Sequence, residues 1–235
     1  MIPIRNTLER TVTPVVNRSL VIANIAVFVG QILMGPRAES MIQAFGFIPA
    51  RLTDPGRFHY TLLEASITLG TSLFLHGGLV HLIGNMVYLH VFGSSVEQSF
   101  GHARYLLFYV AGGAIGSLTH TVVFPHSLIP SIGASGSIAA VLGAFLVLHP
   151  KAPIVTLFPL VIYWAMAEVR AAYLLPVWFG MQFFNGFLTL HAARGTQEVA
   201  GIAWWAHIGG FLFGSLLAIG PRMRQTRSAS VAKEK

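Results

Sequence analysis

Long intervals without a charged residue constrain this chain more than any other feature. They lie between isolated charges and cover residues 19–36, 65–96, 105–150, 171–193 and 199–221. A helix that crosses the hydrocarbon core of a bilayer needs about 20 mostly apolar residues. Only 10% of the residues are charged and 54% are hydrophobic, whereas a soluble globular domain has about 25% charged residues. The composition therefore predicts a membrane protein.

The same intervals favour helices over a strand-built barrel, because they are continuously apolar and barrel strands alternate apolar with polar residues. We predict an all-α membrane protein with a membrane domain at 19–220, an N-terminal tail at 1–18 and a basic C-terminal tail at 221–235. The apolar stretch 152–167 is short and contains two prolines, so we expect it at the membrane interface. The six predicted spans are approximately 19–35, 76–94, 103–124, 135–149, 171–190 and 202–220.

The formal net charge of +7 has an explanation in membrane topology. Arginine and lysine are concentrated in the two tails, and the positive-inside rule then predicts that both termini are cytoplasmic. Nucleic-acid binding is not indicated, because no basic patch is interleaved with aromatic residues. The chain has no cysteine, which excludes disulfides, thiol catalysis and cysteine metal sites.

Two polar side chains stand out inside the predicted spans. Ser135 lies in Gly133-Ala134-Ser135-Gly136, and His207 begins His207-Ile208-Gly209-Gly210. Polar and ionisable groups at membrane depth usually mark functional sites, and histidine can activate a serine nucleophile as its general base. No acidic residue lies in a predicted span core, so a Ser-His dyad is expected rather than a triad. The ring of His207 would then be oriented by packing or by a neutral partner.

Small residues recur at intervals of four in both of these spans. Since small residues allow membrane helices to approach closely, spans four and six are predicted to pack together through stripes that include Gly136 and Gly210. Ser135 and His207 border these stripes, both at the outer end of their spans. The alternative is that the glycines serve packing alone and that Ser135 caps its helix.

The second span offers hydrogen-bond donors for an oxyanion. His81 and Asn85 are four residues apart and therefore share one helix face. The backbone N–H of Ser135, at a helix N-terminus, is a third candidate. Such donors stabilise the tetrahedral intermediate of acyl transfer. The alternative for His81 and Asn85 is hydrogen bonding between helices.

Taken together, these motifs resemble the rhomboid family of intramembrane serine proteases. The matching pieces are the motif around Ser135, the stretch His81-Leu82-Ile83-Gly84-Asn85 and the motif around His207. Further likeness runs from Phe74 to Gly101, and the resemblance covers about residues 15–220.

The resemblance implies a six-transmembrane-helix rhomboid-like bundle that opens to water on its outer face. Ser135 would be the nucleophile and His207 the general base, and Asn85, His81 and the Ser135 amide would form the oxyanion hole. Gly133, Gly136 and Gly210 would pack the helices at the site. The substrates would be single-span membrane proteins, with no cofactor and no metal. The expected location is a bacterial inner membrane, with span five as a lateral gate.

The chain departs from many relatives at two places. A Trp-Arg pair in the first loop is replaced by Ile67-Thr68, and the aromatic residue that stacks on the histidine is replaced by Ala139. Trp204 or Trp205 could compensate for the second departure.

Three other functions are alternatives for this sequence. A catalytically inactive relative that binds membrane proteins usually lacks the serine or the histidine, and this chain keeps both. A metal or haem protein would use histidines in or near the spans, but the sequence has no His-Glu-x-x-His motif. A transporter built from inverted repeats is not supported by any internal repeat. The histidines weighed for the metal or haem site are His76, His81, His90 and His120.

Overall fold

The structure is a computed structural model that describes residues 1–159, 164–192 and 202–222. It is mostly helical, and each of the six predicted spans coincides with one helix. These six helices are α1 (Val15–Leu33), α5 (Leu79–Phe100), α6 (His102–Val123), α7 (Ser135–Leu148), α8 (Ala171–Ala192) and α9 (Trp204–Leu217). Three shorter helices, α2 (Ala38–Phe45), α3 (Pro49–Thr53) and α4 (Leu62–Thr71), fold the long loop after α1.

Within the described part of the chain, three helices, α1, α5 and α6, are long and apolar enough to cross a membrane, and α7 is apolar but shorter. The count of six spans therefore stays a prediction, although the helix positions agree with it.

Helix α7 forms the centre of the bundle. Its residues from Gly136 to Phe145 are all buried, and α5, α6, α8 and α9 pack around it. The contact with α9 is made backbone to backbone. A Cβ atom added to Gly214 would lie 1.9 Å from the carbonyl oxygen of Ala140, and one added to Gly210 would lie 2.2 Å from that of Gly136. The prediction that these two helices pack closely through small residues is confirmed.

The expectation of an all-α chain is wrong, because the described residues include a three-stranded antiparallel sheet. Its strands are β1 (Ile2–Asn6), β2 (Pro153–Pro159) and β3 (Trp164–Arg170), and β2 lies in the middle. The sheet accounts for most of the stretch 152–167, whose residues 160–163 lie outside the described part. The β-branched run at 154–156 favours a strand, and the two prolines occupy the ends of β2, where they are tolerated.

The predicted N-terminal tail is also partly structured. Strand β1 covers Ile2–Asn6, and α1 begins at Val15. The Asn6 amide donates to the backbone carbonyl of Val91 and to Ser95 Oγ in α5. These hydrogen bonds hold β1, and with it the sheet, against α5. Of the predicted C-terminal tail, residues 223–235 lie outside the described residues.

The N-terminus of α1 is capped from another helix. Glu97, near the end of α5, is 1% exposed, and its carboxylate accepts hydrogen bonds from the backbone N–H groups of Val16 (2.9 Å) and Asn17 (2.7 Å). The first N–H groups of a helix lack intrahelical acceptors, and an anion there is favoured by the helix dipole. This contact fixes α1 against α5.

Candidate active site

The structure brings Ser135 and His207 into direct contact. The Ser135 hydroxyl lies 2.8 Å from Nε2 of His207. Ser135 is the first residue of α7, and His207 lies in the first turn of α9. The close approach of these helices through Gly136 and Gly210 sets the distance between the two side chains. His207 is buried, while Ser135 is only half-buried and so reaches a cavity.

The other ring nitrogen of His207 has a partner that the sequence analysis missed. Nδ1 lies 2.8 Å from Oε1 of Gln182, a residue of α8 that is 6% exposed. The sequence predicts that packing or a neutral partner orients the ring, and Gln182 is a neutral partner that no motif identifies. An amide in the middle of an apolar span was the available signal.

Two tryptophans pack against the same imidazole. The Trp178 ring lies 6.1 Å from it at an angle of 32°, and the Trp204 ring lies 6.0 Å away, almost perpendicular. Of the two compensating residues considered, Trp204 contacts His207, whereas the ring contact found for Trp205 is with Phe183. Ala139 is fully buried and faces Gly210, so it leaves no room for an aromatic ring between α7 and α9.

The turn before Ser135 needs a glycine. Gly133 has φ +113°, a conformation that residues with a Cβ rarely adopt. Its N–H donates to the carbonyl of Ser72 at 2.9 Å. An added Cβ would lie 2.8 Å from Nε2 of His81 and 3.4 Å from Nδ2 of Asn85. The absence of a side chain at Gly133 therefore lets both predicted donors come close to the start of α7.

Asn85 is held by a buried histidine. Its Nδ2 lies 3.0 Å from Nε2 of His76, and Nδ1 of His76 lies 3.3 Å from the carbonyl of Phe74. Because a carbonyl only accepts, His76 carries its proton on Nδ1 and accepts from Asn85 through Nε2. One amide hydrogen of Asn85 is thus committed, and the other is available to a ligand. The sequence suggests His76 only as a metal or haem ligand, whereas in the structure His76 orients Asn85.

His81 is exposed at the cavity wall. The backbone N–H of Gly77 donates to its Nδ1 at 3.4 Å, which leaves the ring proton on Nε2. That nitrogen faces Gly133 and can donate into the cavity. Within the described residues, no three His, Asp or Glu side chains come together as metal ligands.

A cavity of about 880 Å³ joins these groups. Ser135 and His207 line it together with His81, Asn85 and residues of α8 such as Trp178 and Gln182. The arrangement offers a hydroxyl paired with an imidazole and two side-chain donors next to it. Those are the parts that acyl transfer needs: a nucleophile, a base and oxyanion donors.

The chain is similar in sequence to known proteins. A family model described as "Rhomboid domain" matches residues 64–223. "RHOMBOID-like protein 5" of Arabidopsis thaliana is 33% identical over 114 residues, 48% of this chain and 34% of that protein. "Rhomboid protease GluP" of Bacillus subtilis is 43% identical over 76 residues, 32% of this chain and 14% of that protein.

The relatives also include "Inactive rhomboid protein 1" of Drosophila melanogaster, which is 32% identical over 78 residues, 33% of this chain and 5% of that protein. The chain spans about a third or less of the length of these curated relatives. The family match and the apolar helices of spanning length together indicate an integral membrane protein.

Proposed function

This chain belongs to the rhomboid family, and on that premise we propose that it is an intramembrane serine endopeptidase that acts through Ser135 and His207. The observation that carries the proposal is the 2.8 Å contact between the Ser135 hydroxyl and Nε2 of His207 at the wall of the cavity. A serine is a weak nucleophile unless an adjacent base takes its proton.

In the proposed reaction, Ser135 Oγ attacks the scissile carbonyl while Nε2 of His207 accepts the hydroxyl proton. The tetrahedral intermediate collapses when His207 returns that proton to the leaving amine, which leaves an acyl group on Ser135. A water molecule, deprotonated by His207 in turn, attacks the ester; the bond to Ser135 Oγ then breaks, His207 returns the proton to that oxygen, and the second product leaves as a carboxylic acid. Both half-reactions use the same pair of atoms.

The negative charge of the tetrahedral intermediate would be met by three donors. These are the free amide hydrogen of Asn85, Nε2–H of His81 and the backbone N–H of Ser135. The first two are supported by the hydrogen bonds that orient Asn85 through His76 and His81 through Gly77. Each such donor accounts for about 100- to 1000-fold in rate in known acyl-transfer enzymes.

The substrates we propose are single-span membrane proteins, cleaved within or near the membrane. We also propose six spans, cytoplasmic termini and a bacterial inner membrane, with α8 as the lateral gate. The distribution of basic residues supports the topology. Two relatives in Bacillus subtilis, one named a rhomboid protease and the other a putative one, support the location. The gate at α8 is proposed from the resemblance to the family alone.

The test of this function is cleavage of a membrane-helix reporter in reconstituted vesicles. Ser135→Ala should abolish cleavage and leave the protein folded. Ser137→Ala is the matched control, because Ser137 is buried on the same helix and its hydroxyl has no hydrogen-bond partner among the described residues. Cleavage by the Ser135→Ala protein at the wild-type rate would refute the proposal. If the wild-type protein only binds the reporter, the inactive alternative is favoured.

A serine-directed fluorophosphonate probe tests the base separately. Wild-type protein should be labelled at Ser135, and His207→Ala should prevent labelling because the hydroxyl then has no proton acceptor. Equal labelling of the two proteins would contradict the role proposed for His207.

A further inference from the structure

The amide of Gln182 lies on the side of His207 that faces away from Ser135. Its Oε1 is 2.8 Å from Nδ1 of the ring, and the Ser135 hydroxyl is 2.8 Å from Nε2. The three side chains therefore form one continuous hydrogen-bonded row. They come from three helices, since Ser135 belongs to α7, His207 to α9 and Gln182 to α8.

The direction of each hydrogen bond in this row follows from a fourth contact. Nε2 of Gln182 lies 3.2 Å from the backbone carbonyl of Trp178, one turn earlier in α8. A carbonyl can only accept, so the NH₂ group of the amide must face Trp178 and its oxygen must face His207. The amide oxygen in turn can only accept, so Nδ1 of His207 carries the proton. In a neutral imidazole, Nε2 is then the acceptor that faces the Ser135 hydroxyl.

We infer that Gln182 is a positioning residue that holds His207 in the tautomer able to accept the proton of Ser135. The inference rests on the function proposed above for this site. In serine enzymes of the Ser-His-Asp type the corresponding carboxylate fixes both the tautomer and the ring orientation. Here a neutral amide supplies the acceptor, which avoids an additional buried charge at membrane depth.

Three variants separate positioning from packing. Gln182→Met keeps the length of the side chain and removes the acceptor. Gln182→Glu keeps an oxygen that can accept from Nδ1 in either protonation state. Asn185→Leu is the control, because Asn185 lies in the next turn of the same helix and does not line the cavity.

We expect Gln182→Met to lower kcat about 5- to 150-fold, the range for a buried N–H that loses its acceptor, with KM changed less than about twofold. Gln182→Glu should recover most of that loss, and Asn185→Leu should behave as wild type. If Gln182→Met does not fold, Gln182→Asn replaces it, because the shorter side chain carries the oxygen out of reach of Nδ1.

A second measurement does not depend on cleavage. Nitrogen-15 NMR of histidine-labelled protein in micelles distinguishes the two neutral tautomers, and the His207 signal is assigned by its loss in His207→Gln. Wild type should show the proton on Nδ1, and Gln182→Met should show a mixture or the other tautomer. A protein that cleaves nothing but shows this change refutes the proposed function and keeps the inference.

The inference is overturned if Gln182→Met retains wild-type kcat and the wild-type tautomer. It is also overturned if Gln182→Glu is as impaired as Gln182→Met, or if Asn185→Leu lowers kcat equally. The first result would show that the hydrogen bond has no effect on His207, and the other two would assign the effect to the packing of α8.

Discussion

Replacing Gly214 by alanine should separate α7 from α9 and destabilise the protein. The added Cβ would lie 1.9 Å from the backbone oxygen of Ala140, whereas ordinary contacts begin at 3.4 Å, so the helices must part by about 1.5 Å. The opposing atoms belong to a backbone, so no rotamer change can relieve the overlap.

Two energies of opposite sign decide the size of the effect. Overpacking a buried position lowers the free energy of unfolding by about 1–3 kcal/mol. Exchanging glycine for alanine within a helix raises it by up to about 1 kcal/mol. With a backbone clash the cost lies at the upper end, so Gly214→Ala should lower the free energy of unfolding by about 1–2 kcal/mol.

The matched control is Gly180→Ala. Gly180 lies in α8, and a Cβ there would have no atom within 4 Å. That variant introduces no clash and gains only the higher helix propensity of alanine, so it should be more stable than wild type by up to about 1 kcal/mol. Gly214→Ala should therefore lower the free energy of unfolding and Gly180→Ala should raise it, and the two variants should differ by roughly 2–3 kcal/mol.

Unfolding of both variants by sodium dodecyl sulfate in mixed micelles, followed by circular dichroism, measures this difference. Helix separation should also stretch the contact between Ser135 and His207, so reporter cleavage by Gly214→Ala should fall while Gly180→Ala keeps wild-type activity. Equal stability of the two variants would refute the close backbone packing of α7 and α9.

Three further predictions concern the surroundings of the site. Asn85→Ala should lower kcat about 100- to 1000-fold with little change in KM; reporter kinetics that show a change in KM alone would remove Asn85 from the oxyanion role. Gly133→Ala should destabilise the protein by about 1–3 kcal/mol, measured by the same unfolding titration, because φ is +113° and the new Cβ would meet His81. Glu97→Gln should lower the unfolding free energy by about 1–3 kcal/mol, since it replaces the carboxylate that caps α1; an unchanged midpoint would contradict that cap.

The helices and the contact between Ser135 and His207 could be predicted because each corresponds to a regular pattern in the sequence. Apolar runs of spanning length follow from the thickness of the bilayer. The recurrence of small residues at intervals of four marks a close helix contact. Both patterns place Ser135 and His207 at the start of neighbouring helices, where the structure has them.

The sheet could not be predicted in the same way. A short apolar run such as 153–159 fits a strand, a buried helix or an interfacial segment equally well. Its partner β1 lies about 150 residues away in the sequence, and no local pattern indicates such a pairing. For the same reason the sequence predicts a tail at 1–18, whereas residues 2–6 form β1.

The glycines also differ in ways that spacing does not reveal. Gly136 and Gly210 belong to opposing stripes, but a Cβ on Gly210 would collide with the Gly136 backbone, while one on Gly136 would make only ordinary contacts at 3.7 Å. Which of two facing glycines is indispensable depends on the rotation of each helix, and a stripe of small residues leaves that rotation undetermined.

The row from Ser135 to Gln182 shows how His207, in the role proposed for it, can be oriented without an acidic partner. Among the described residues the buried carboxylate is Glu97, and it lies at the end of α5, where two backbone N–H groups and His102 bind it. A carboxylate beside His207 that stayed ionised would need comparable donors, because an unpaired buried charge is costly, whereas a protonated carboxyl group would not. The amide of Gln182 needs only the carbonyl of Trp178, which its own helix provides. Since that amide is carried by α8, the inferred tautomer of His207 depends on the packing of α8 against α9, and we expect displacement of α8 alone to remove the acceptor of Nδ1 without moving Ser135 or His207.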